Sequence, residues 1–465
     1  MKRRLGCLLG GVALALTLAG CSLAPAYVRP PSPVPSALPP ADAAAGAPLA
    51  ADVTWQRYFT DARLRAVIEQ ALANNRDLRM ATLNIERAQA FYRIQRAELF
   101  PAVSAGANVS TQRIPEEVAR DGEAFTSTQY TVALGVSGWE VDLFGRVRSL
   151  KASALEQYLA TEQAAVATRL SLVAAVAQAY LTRAADTENL RLAQETLEAL
   201  QSSLALIQRS RDLGIASDLE LNQVRSQVEA ARADVARYTG LAAVDLNALQ
   251  VLVGAPVSAD LLPDNLGAVT PPQPISAGVS SDVLLRRPDI LSAEHQLRSA
   301  NADIGAARAA LFPRIALTMG VGISSSELSS LFGGGTGMWS FVPQITQPIF
   351  NSGALKSRVK VTELERDMAV ASYEKGIQVA FAEVSNALAL RQTLVSQRDA
   401  QEALVKALEA TYRLYEARFK AGLDGYLGVL VAQQAFISAQ KALVGVRLSE
   451  QANLVTLYKV LGGGV

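Results

Sequence analysis

The hexapeptide RAELFP at residues 96–101 recurs as RAALFP at residues 308–313. Three further pairs of segments follow in the same order: DLFGR at 142–146 with the looser PIFNSG at 348–353, LGIASDL at 213–219 with AGLDGYL at 421–427, and VLVG at 251–254 with VLGG at 460–463. Self-similarity in a fixed order is the signature of a repeated structural unit. The sequence therefore predicts one unit duplicated, at residues 61–254 and 281–465, with a linker at residues 255–280.

Each repeat contains two segments in which apolar and polar residues alternate. In the first repeat these are residues 102–113 and 128–139; in the second they are residues 315–323 and, more weakly, 338–350. Period-two alternation is typical of β-strands, and about 10 residues is the length that a tilted strand needs to cross a bilayer. The loops between the paired strands are polar or Gly-rich, and we expect them to face the outside.

Four strands cannot form a spanning barrel alone, because an open sheet edge in lipid leaves backbone groups unpaired. Three copies of this chain would supply twelve strands, and an even number is usual for such barrels. A small soluble sheet is the alternative interpretation of the same four segments.

Each repeat is predicted to run helix, two strands, long helix, tight turn, helix. Residues 61–99 are rich in good helix formers and are followed by Pro101, which ends the first helix. Gly145–Leu213 contains no Pro and no internal Gly, and as a helix it would span roughly 100 Å. Ala354–Ala421 is similar, with Gly376 as its weak point. Leu, Val and Ala recur at three- and four-residue steps, which suits coiled-coil packing. Each pair of strands is therefore expected to carry a long helical hairpin, and three chains to form a tube.

The N-terminus has the pattern of an export signal. Three basic residues at positions 2–4 precede the apolar stretch Leu5–Leu18, which leads into Ala19-Gly20-Cys21. This stretch is too short for a spanning helix, and residues 1–20 are predicted to be a signal peptide. The end of the stretch resembles the bacterial lipoprotein box, in which the Cys thiolate accepts the lipid. Cys21 is therefore expected to be the lipid-bearing N-terminus; an ordinary signal peptide with a chance Cys is the alternative.

Residues 21–60 are predicted to be a lipidated tether rich in Pro and Ala. Six prolines between residues 30 and 40 prevent a regular helix or strand. Such a segment is extended and semi-rigid, so it would hold the lipid away from the folded body. A disordered tail without a spacing role is the alternative.

Composition and charge exclude some classes of function. The formal net charge is +1, and loss of the three basic residues of the signal peptide would leave the mature chain near −2, which does not favour nucleic-acid binding. The mature chain has no uninterrupted apolar run of 18 residues; the nearest, Ala164–Leu181, contains Arg169 and Gln178. Spanning helices are therefore not expected.

Four places in the sequence carry a family resemblance: WQRYF at 55–59 with LANNRDL at 72–78, WEVDLFG at 139–145, RRPDI at 286–290 with AE at 293–294, and QPIF at 347–350. In these segments the chain resembles the outer membrane factor family, the TolC-like channels of tripartite efflux systems, in its lipoprotein branch. The resemblance implies a mixed α/β membrane protein in the outer membrane. Its trimeric twelve-stranded barrel would continue into a periplasmic α-helical tunnel.

The resemblance also implies a function and partners. The protein would be the exit duct of an efflux pump, acting with a periplasmic adaptor protein and an inner-membrane transporter, often of the resistance-nodulation-division type. It would pass drugs, dyes, solvents, detergents or metal ions, and it would use no cofactor. An outer-membrane channel for type I protein secretion and a structural coiled-coil lipoprotein are the alternatives.

By the same resemblance, the two hairpin turns would form the periplasmic mouth and bind the adaptor. The residues assigned to this role are Arg211, Asp212, Gly214, Ser217, Asp218, Lys420, Gly422, Asp424, Gly425 and Tyr426. The three glycines fit a sharp reversal, since a positive φ favours Gly, and turn formation alone would explain them.

The narrowest part of the tunnel would lie just beyond the second turn. The positions that are often acidic in the family correspond here to Gly428 and Val431, which carry no charge. Leu427 and Val431 are therefore expected to form an apolar constriction. A ring of Asp424 side chains, which would favour cations, is the alternative.

The remaining conspicuous residues are expected to be structural. Arg286, Arg287 and Asp289 surround Pro288, a residue typical of the first position of a helix. Trp139 and Trp339 would lie near strand ends, either in an aromatic belt or in ordinary packing.

No enzyme is predicted. His295 is the only histidine and lies in a predicted helix, where a packed or solvated role is expected. The sequence contains no metal-ligand cluster, nucleophile elbow or phosphate-binding loop, so neither a catalytic nor a metal site is assigned.

Overall fold

The computed structural model describes residues 22–39, 47–278 and 280–464. The predicted signal peptide and Cys21 lie outside the described residues. The chain divides into two compact units, each built from three stretches of sequence. Unit 1 comprises Met1–Pro30, Asn84–Thr161 and Ser292–Tyr373, and unit 2 comprises Pro31–Leu83, Glu162–Leu291 and Glu374–Val465.

The order of helices and strands is the one that the sequence predicts for a duplicated unit. The elements are α1 (Trp55–Tyr58), α2 (Ala62–Asn74), α3 (Arg76–Ala97), β1 (Val103–Ile114), β2 (Phe125–Glu140), α4 (Arg146–Asp212), α5 (Asp218–Val253), α6 (Pro288–Ala309), β3 (Arg314–Ser325), β4 (Gly337–Thr346), α7 (Ala354–Lys420) and α8 (Tyr426–Val460). The two long helices, α4 and α7, have 67 residues each.

The single helix expected at residues 61–99 is in fact two helices, because Asn75 interrupts it. The Asn75 backbone is extended, with a ψ of 133°. Its Oδ1 accepts a hydrogen bond from the Leu78 N–H at 2.8 Å, and its Nδ2 donates to the Leu252 carbonyl at 2.8 Å. Asn is among the preferred residues at a helix N-cap, so the side chain that ends α2 also begins α3.

The four strands form one antiparallel sheet in unit 1, in the order β1-β2-β3-β4. The central pair joins the second strand of the first repeat to the first strand of the second repeat, with Tyr130 opposite Ser325. A register shift follows Val136, where Gly138 has a φ of +64° and its N–H donates to Thr318 Oγ1 at 3.1 Å. Within the described residues, β1 and β4 each pair along one edge only.

The fourth strand is shorter than expected. The sequence predicts it to reach residue 350, whereas β4 ends at Thr346. Pro348 has no N–H to donate to a neighbouring strand, and within sheets Pro is confined to edge strands, to the first residue of a strand and to bulges. The chain then turns into α7, with Gly353 at a φ of +83°.

The described part of the N-terminal segment is bound to the fold, so the expectation of a spacer is wrong for residues 22–39, and so is the disordered alternative. In unit 1, Arg29 and Tyr27 hydrogen-bond to Glu294 of α6. In unit 2, the Ser281 N–H donates to the Ser36 carbonyl at 2.9 Å, and Leu38 is buried. Proline prevents a continuous strand here, but side-chain contacts and a single backbone hydrogen bond attach the segment.

Arg287 and Asp289 have the structural role that the sequence predicts. Pro288 is the first residue of α6, and the Ile290 N–H donates to Asp289 Oδ1 at 3.0 Å. The Arg287 side chain is 9% exposed and donates to Asp289 and Glu383 at 2.8 Å each, and to the Val460 carbonyl at 2.8 Å. It therefore ties the start of α6 to α7 and to the end of α8 within unit 2.

The other singled-out residues take ordinary positions. Trp139 is half-buried near the end of β2, opposite Leu317, and Trp339 lies on β4 with 79% of its surface exposed. His295 is packed, with its Nδ1 2.6 Å from Glu156 Oε2. Nothing in these positions points to chemistry.

By length and composition, α4 and α8 each contain a stretch apolar enough to cross a membrane. About half of each stretch is buried inside the fold, 50% in α4 and 44% in α8. Helices that pack into a protein core show the same pattern.

Replacing Arg287 by Met should lower the free energy of unfolding by about 3 kcal/mol, because three acceptors lose their donor and two of them are charged. Arg286→Met is the matched control: its side chain is 62% exposed and 3.7 Å from Asp52, and such a pair contributes less than about 1 kcal/mol. Thermal unfolding of the two purified variants measures the difference. Equal midpoints would contradict a bracing role for Arg287.

One carboxyl group in unit 2 should make stability depend on pH. Burial, together with the charge of the adjacent Asp186, raises the pKa of Asp245 to about 6. The unfolded chain ionises this group near its ordinary value of 3.8. Stability that comes from the neutral carboxyl is therefore present below that value and is lost as the pH rises to about 6.

Asp245→Asn keeps the shape of the side chain and cannot ionise. We expect the variant to unfold at a higher temperature than the wild type at about pH 7.5, and at the same temperature at about pH 4. Asp121→Asn, at an exposed loop position, is the control and should shift neither midpoint. A stabilisation by Asp245→Asn that is equal at both pH values would show that ionisation is not its cause.

Candidate functional site

The turn between α4 and α5 is fixed by Gly214 and by a capping box. Gly214 has a φ of +74°, and the next N–H, that of Ile215, donates to the Ser210 carbonyl at 2.8 Å. This is the hydrogen bond that closes a helix end with a left-handed residue. Ser217 then begins α5: its Oγ accepts from the Glu220 N–H, and the Glu220 carboxylate accepts from the Ser217 N–H.

The turn between α7 and α8 repeats this geometry. Gly422 has a φ of +71°, and the Leu423 N–H donates to the Arg418 carbonyl at 3.0 Å. Gly425 differs from the expectation, because its φ is −74° and it forms the N-cap of α8. A positive φ therefore explains Gly214 and Gly422 but not Gly425.

An apolar cluster holds the two turns side by side in unit 2. Its buried members are Leu200, Ile207, Leu221, Val224, Val228, Ala231, Tyr426, Val429 and Leu430. The Tyr426 ring meets the Phe419 ring edge to face, with 5.1 Å between centroids. Tyr426, assigned to the mouth from the sequence, is therefore part of the core behind the turns and is only 3% exposed.

The charged residues of the turns are paired within the chain. Arg211 binds Asp218 at 3.0 Å and Asp212 at 3.4 Å, and Lys420 binds Glu416 at 2.8 Å. Arg418 contacts both carboxylate oxygens of Asp424, at 2.5 and 3.1 Å. Hydrogen bonding from Arg418 holds the pKa of Asp424 below its ordinary value, so Asp424 is an ionised group with its own counter-ion.

An exposed apolar row runs from the second turn along α8. Leu427 and Val431 are four residues apart on one face of α8 and are 53% and 61% exposed, and Leu423 in the turn before them is 68% exposed. A Cβ at position 428 would come within 2.7 Å of the Tyr415 ring, so a side chain there would require that ring to move.

The structure places the residues that the sequence assigns to the mouth at or beside the two turns, and three further residues that the sequence prediction omitted contribute to their geometry. Glu220 was detectable, because Ser217-x-x-Glu220 is the pattern of a capping box. Arg418 lies six residues before Asp424, a spacing that no local rule identifies, and Tyr415 becomes significant only through its contact with Gly428. Across the described ranges, no group of three His, Cys, Asp or Glu side chains could hold a metal ion.

The sequence matches the model of a known protein family. That family is described as outer membrane efflux protein, and the matching residues are 67–255 and 279–463. One match therefore falls in each half of the chain.

Relatives and solved structures agree over nearly the whole length. The toluene efflux pump outer membrane protein TtgC of Pseudomonas putida is 48% identical over 97% of this chain and 94% of its own. The outer membrane protein OprJ of Pseudomonas aeruginosa is 42% identical, with 97% and 94% covered. The open state of the MtrE outer membrane channel of Neisseria gonorrhoeae superposes with a TM-score of 0.87 at 38% identity, covering 96% of this chain and 98% of that one.

The four-stranded sheet and long helices described above are shared with that channel. Since the family model matches most of the sequence, this chain belongs to the outer membrane efflux protein family.

Proposed function

We propose that three copies of this chain form the exit duct of an efflux pump. The duct would be anchored by a lipid on Cys21 and would pass small toxic compounds unchanged to the exterior. A periplasmic adaptor and an inner-membrane transporter would deliver those compounds.

The observation that carries this proposal is the division of the sheet into two faces. One face is apolar along all four strands, as the register of cross-strand partners shows: Ala105 lies opposite Leu134, Leu134 opposite Val321, and Val321 opposite Trp339. The other face carries small and polar residues, such as Asn108 opposite Thr131. This is the alternation of a transmembrane barrel, with apolar residues toward lipid and polar residues toward the lumen.

The exposure of the apolar face supports the same conclusion. Val103, Leu134, Val321, Trp339 and Ile345 are 55–79% exposed in the single chain. Exposed apolar side chains grouped on one face of a sheet mark a membrane or protein contact. The unpaired edges of β1 and β4 add a second requirement, because lipid offers no hydrogen-bonding partner to a sheet edge. Neighbouring copies of the chain satisfy it.

The turns support binding of the adaptor. Leu213, Ile215 and Leu219 at the first turn, and Leu423 at the second, are each 68–79% exposed, while the surrounding charges are paired internally. Exposed apolar side chains within a polar surrounding are typical of a protein–protein contact.

The relatives suggest the class of compounds. They are named as toluene and antibiotic efflux pump outer membrane proteins. We propose a similar range of apolar solvents and drugs for this duct.

The test is single-channel recording in planar bilayers on the purified, lipidated protein, with chemical crosslinking to count the subunits. We expect discrete ion-conducting steps from a trimer. A monomeric protein, or one that fails to enter the bilayer, would contradict the proposal.

A trimer that inserts but conducts poorly would have a closed mouth. Leu427→Ala with Val431→Ala should then increase the conductance, because the two changes shorten the exposed apolar row. Leu219→Ala is the matched control, since Leu219 is also exposed, at 68%, but lies next to the first turn, and should change nothing. If the double variant also fails to conduct, Leu427 and Val431 do not form the constriction.

Ion selectivity tests the Arg418–Asp424 pair. Arg418→Gln would leave Asp424 ionised without a counter-ion in each of three subunits, so the reversal potential should shift toward cation preference. Asp424→Asn should shift it the other way. Arg211→Gln, which frees Asp218 in the first turn, is the comparison; an equal shift from that variant would show that selectivity follows the net charge of the mouth and not Asp424.

A further inference from the structure

The N-terminal strap, defined as residues 24–29, lies along one face of α6 in unit 1. Gly305 faces Ala24, and the Asn301 Nδ2 donates to the Pro25 carbonyl at 2.7 Å. Further along, the Arg298 guanidinium lies 4.9 Å from the centre of the Tyr27 ring, and Arg29 binds Glu294. The α6 partners are spaced four, three and four residues apart, which places them on one helix face. The strap therefore runs antiparallel to α6 and contacts it at four successive points.

Glu294 is the centre of this attachment. Its side chain is 4% exposed, and its carboxylate accepts hydrogen bonds from Arg29 at 2.7 and 3.2 Å, from the Tyr27 hydroxyl at 3.2 Å, and from Arg298 at 2.6 Å. A buried carboxylate is costly unless it is paired and hydrogen-bonded. The two-pronged bond from Arg29 is the stronger kind of ion pair, and it comes from the strap itself.

The electrostatics agree with this geometry. Burial alone would raise the pKa of Glu294, but the hydrogen bonds from Arg29 and Arg298 outweigh it and hold the pKa below its ordinary value. Glu294 is therefore ionised at neutral pH, and the ion pair with Arg29 is complete.

Gly305 makes room for the other end of the strap. A Cβ at position 305 would lie 2.7 Å from the Ala24 Cβ and 2.6 Å from Ser149 Oγ. At one end of the strap, Ala24 packs against the backbone of Gly305. At the other end, Arg29 binds the buried carboxylate of Glu294. Contacts at both ends fix its position along α6 as well as its attachment.

Ala24 is three residues from Cys21. Three residues of extended chain span at most about 11 Å, so a lipid on Cys21 can move only a short way from Gly305. Gly305 lies near the end of α6, which is followed by β3 in the same unit. A free tether of the length expected from the sequence would set no such limit.

We propose that the N-terminal strap holds the lipid of Cys21 at a fixed height beside the sheet, and that Glu294 is the positioning residue that keeps the strap in place. The inference rests on the proposed lipidation of Cys21. On this inference the lipid and the strands both attach the chain to the membrane, and α6 sets the height of the lipid relative to the strands.

The test uses a nitroxide spin label at Ala26→Cys in the lipidated trimer, reconstituted in phospholipid nanodiscs. Ala26 is exposed in the middle of the strap. Cys7 and Cys21 are the only cysteines in the sequence, so after signal cleavage and lipidation the label has one free thiol. Label mobility reports attachment of the strap. Relaxation of the spin label by oxygen is compared with its relaxation by a water-soluble nickel complex. The ratio of the two reports the depth of the label relative to the bilayer.

In the protein that carries only Ala26→Cys, we expect the spectrum of an immobilised label and a single label depth. Glu294→Gln and Arg29→Gln should each shift the spectrum toward sharp, mobile lines and broaden the depth, with channel conductance unchanged. Glu363→Gln is the matched control, because Glu363 also pairs with an arginine of α6, Arg308, at 3.0 Å, and does not contact the strap. A label that stays equally immobile and at the same depth in both Glu294→Gln and Arg29→Gln would overturn the positioning role.

Mass spectrometry of the N-terminal peptide separates this inference from the proposed anchoring. An immobile strap on a chain without lipid would show that the attachment is real while the lipid anchor, and with it the role in positioning the lipid, is wrong. A lipidated chain with a mobile strap in the unmutated background would overturn the inference alone.

Discussion

The unpaired outer edges of β1 and β4 impose the constraint on which the rest of the molecule depends. Each of these strands has one neighbour in the described sheet, and in lipid no solvent is available to hydrogen-bond to the free edge. The apolar face of the sheet requires lipid, and the free edges require partner strands, which further copies of the chain supply. Once the strands are shared among copies, the long helices that follow each strand pair are also brought together.

The helical part meets a different constraint, which is to reverse direction sharply at the end of a helix of 67 residues. Both repeats solve it in the same way, with a left-handed glycine and a hydrogen bond from the following N–H back to the carbonyl of the fifth residue before that donor. The cluster that contains Ile207 and Tyr426 then packs one turn against the other. Duplication has preserved the backbone of the turn, while the charges around it differ: Arg211 pairs with Asp218, and Arg418 with Asp424.

Periodic features of this fold could be predicted from the sequence. Alternation over residues 102–113 and 128–139 predicted β1 and β2, which the structure places at Val103–Ile114 and Phe125–Glu140. The absence of Pro and of internal Gly from Gly145–Leu213 predicted α4. Features that depend on one side chain finding a distant partner could not. Asn75 ends one helix because its side chain caps the next. Arg29 attaches the proline-rich segment by binding Glu294, which is 265 positions away in the sequence. The turns depend on local residue patterns and were therefore located correctly. The pairing of Asp424 with Arg418 and the burial of Tyr426 depend on side-chain contacts that no local pattern indicates, and they were not predicted.

The pairing of β2 with β3 has a consequence for the order of events during folding. Gln129 and Ser324 bond to each other across 195 positions of sequence, and the whole of α4 and α5 lies between them. Contacts of such long range form late, because the intervening chain must first be brought to order. While the second half of the protein is still being exported, β2 has only β1 beside it, and its other edge stays open until residue 325 arrives. The interval before that arrival is when the chain is most exposed to pairing with the wrong strand.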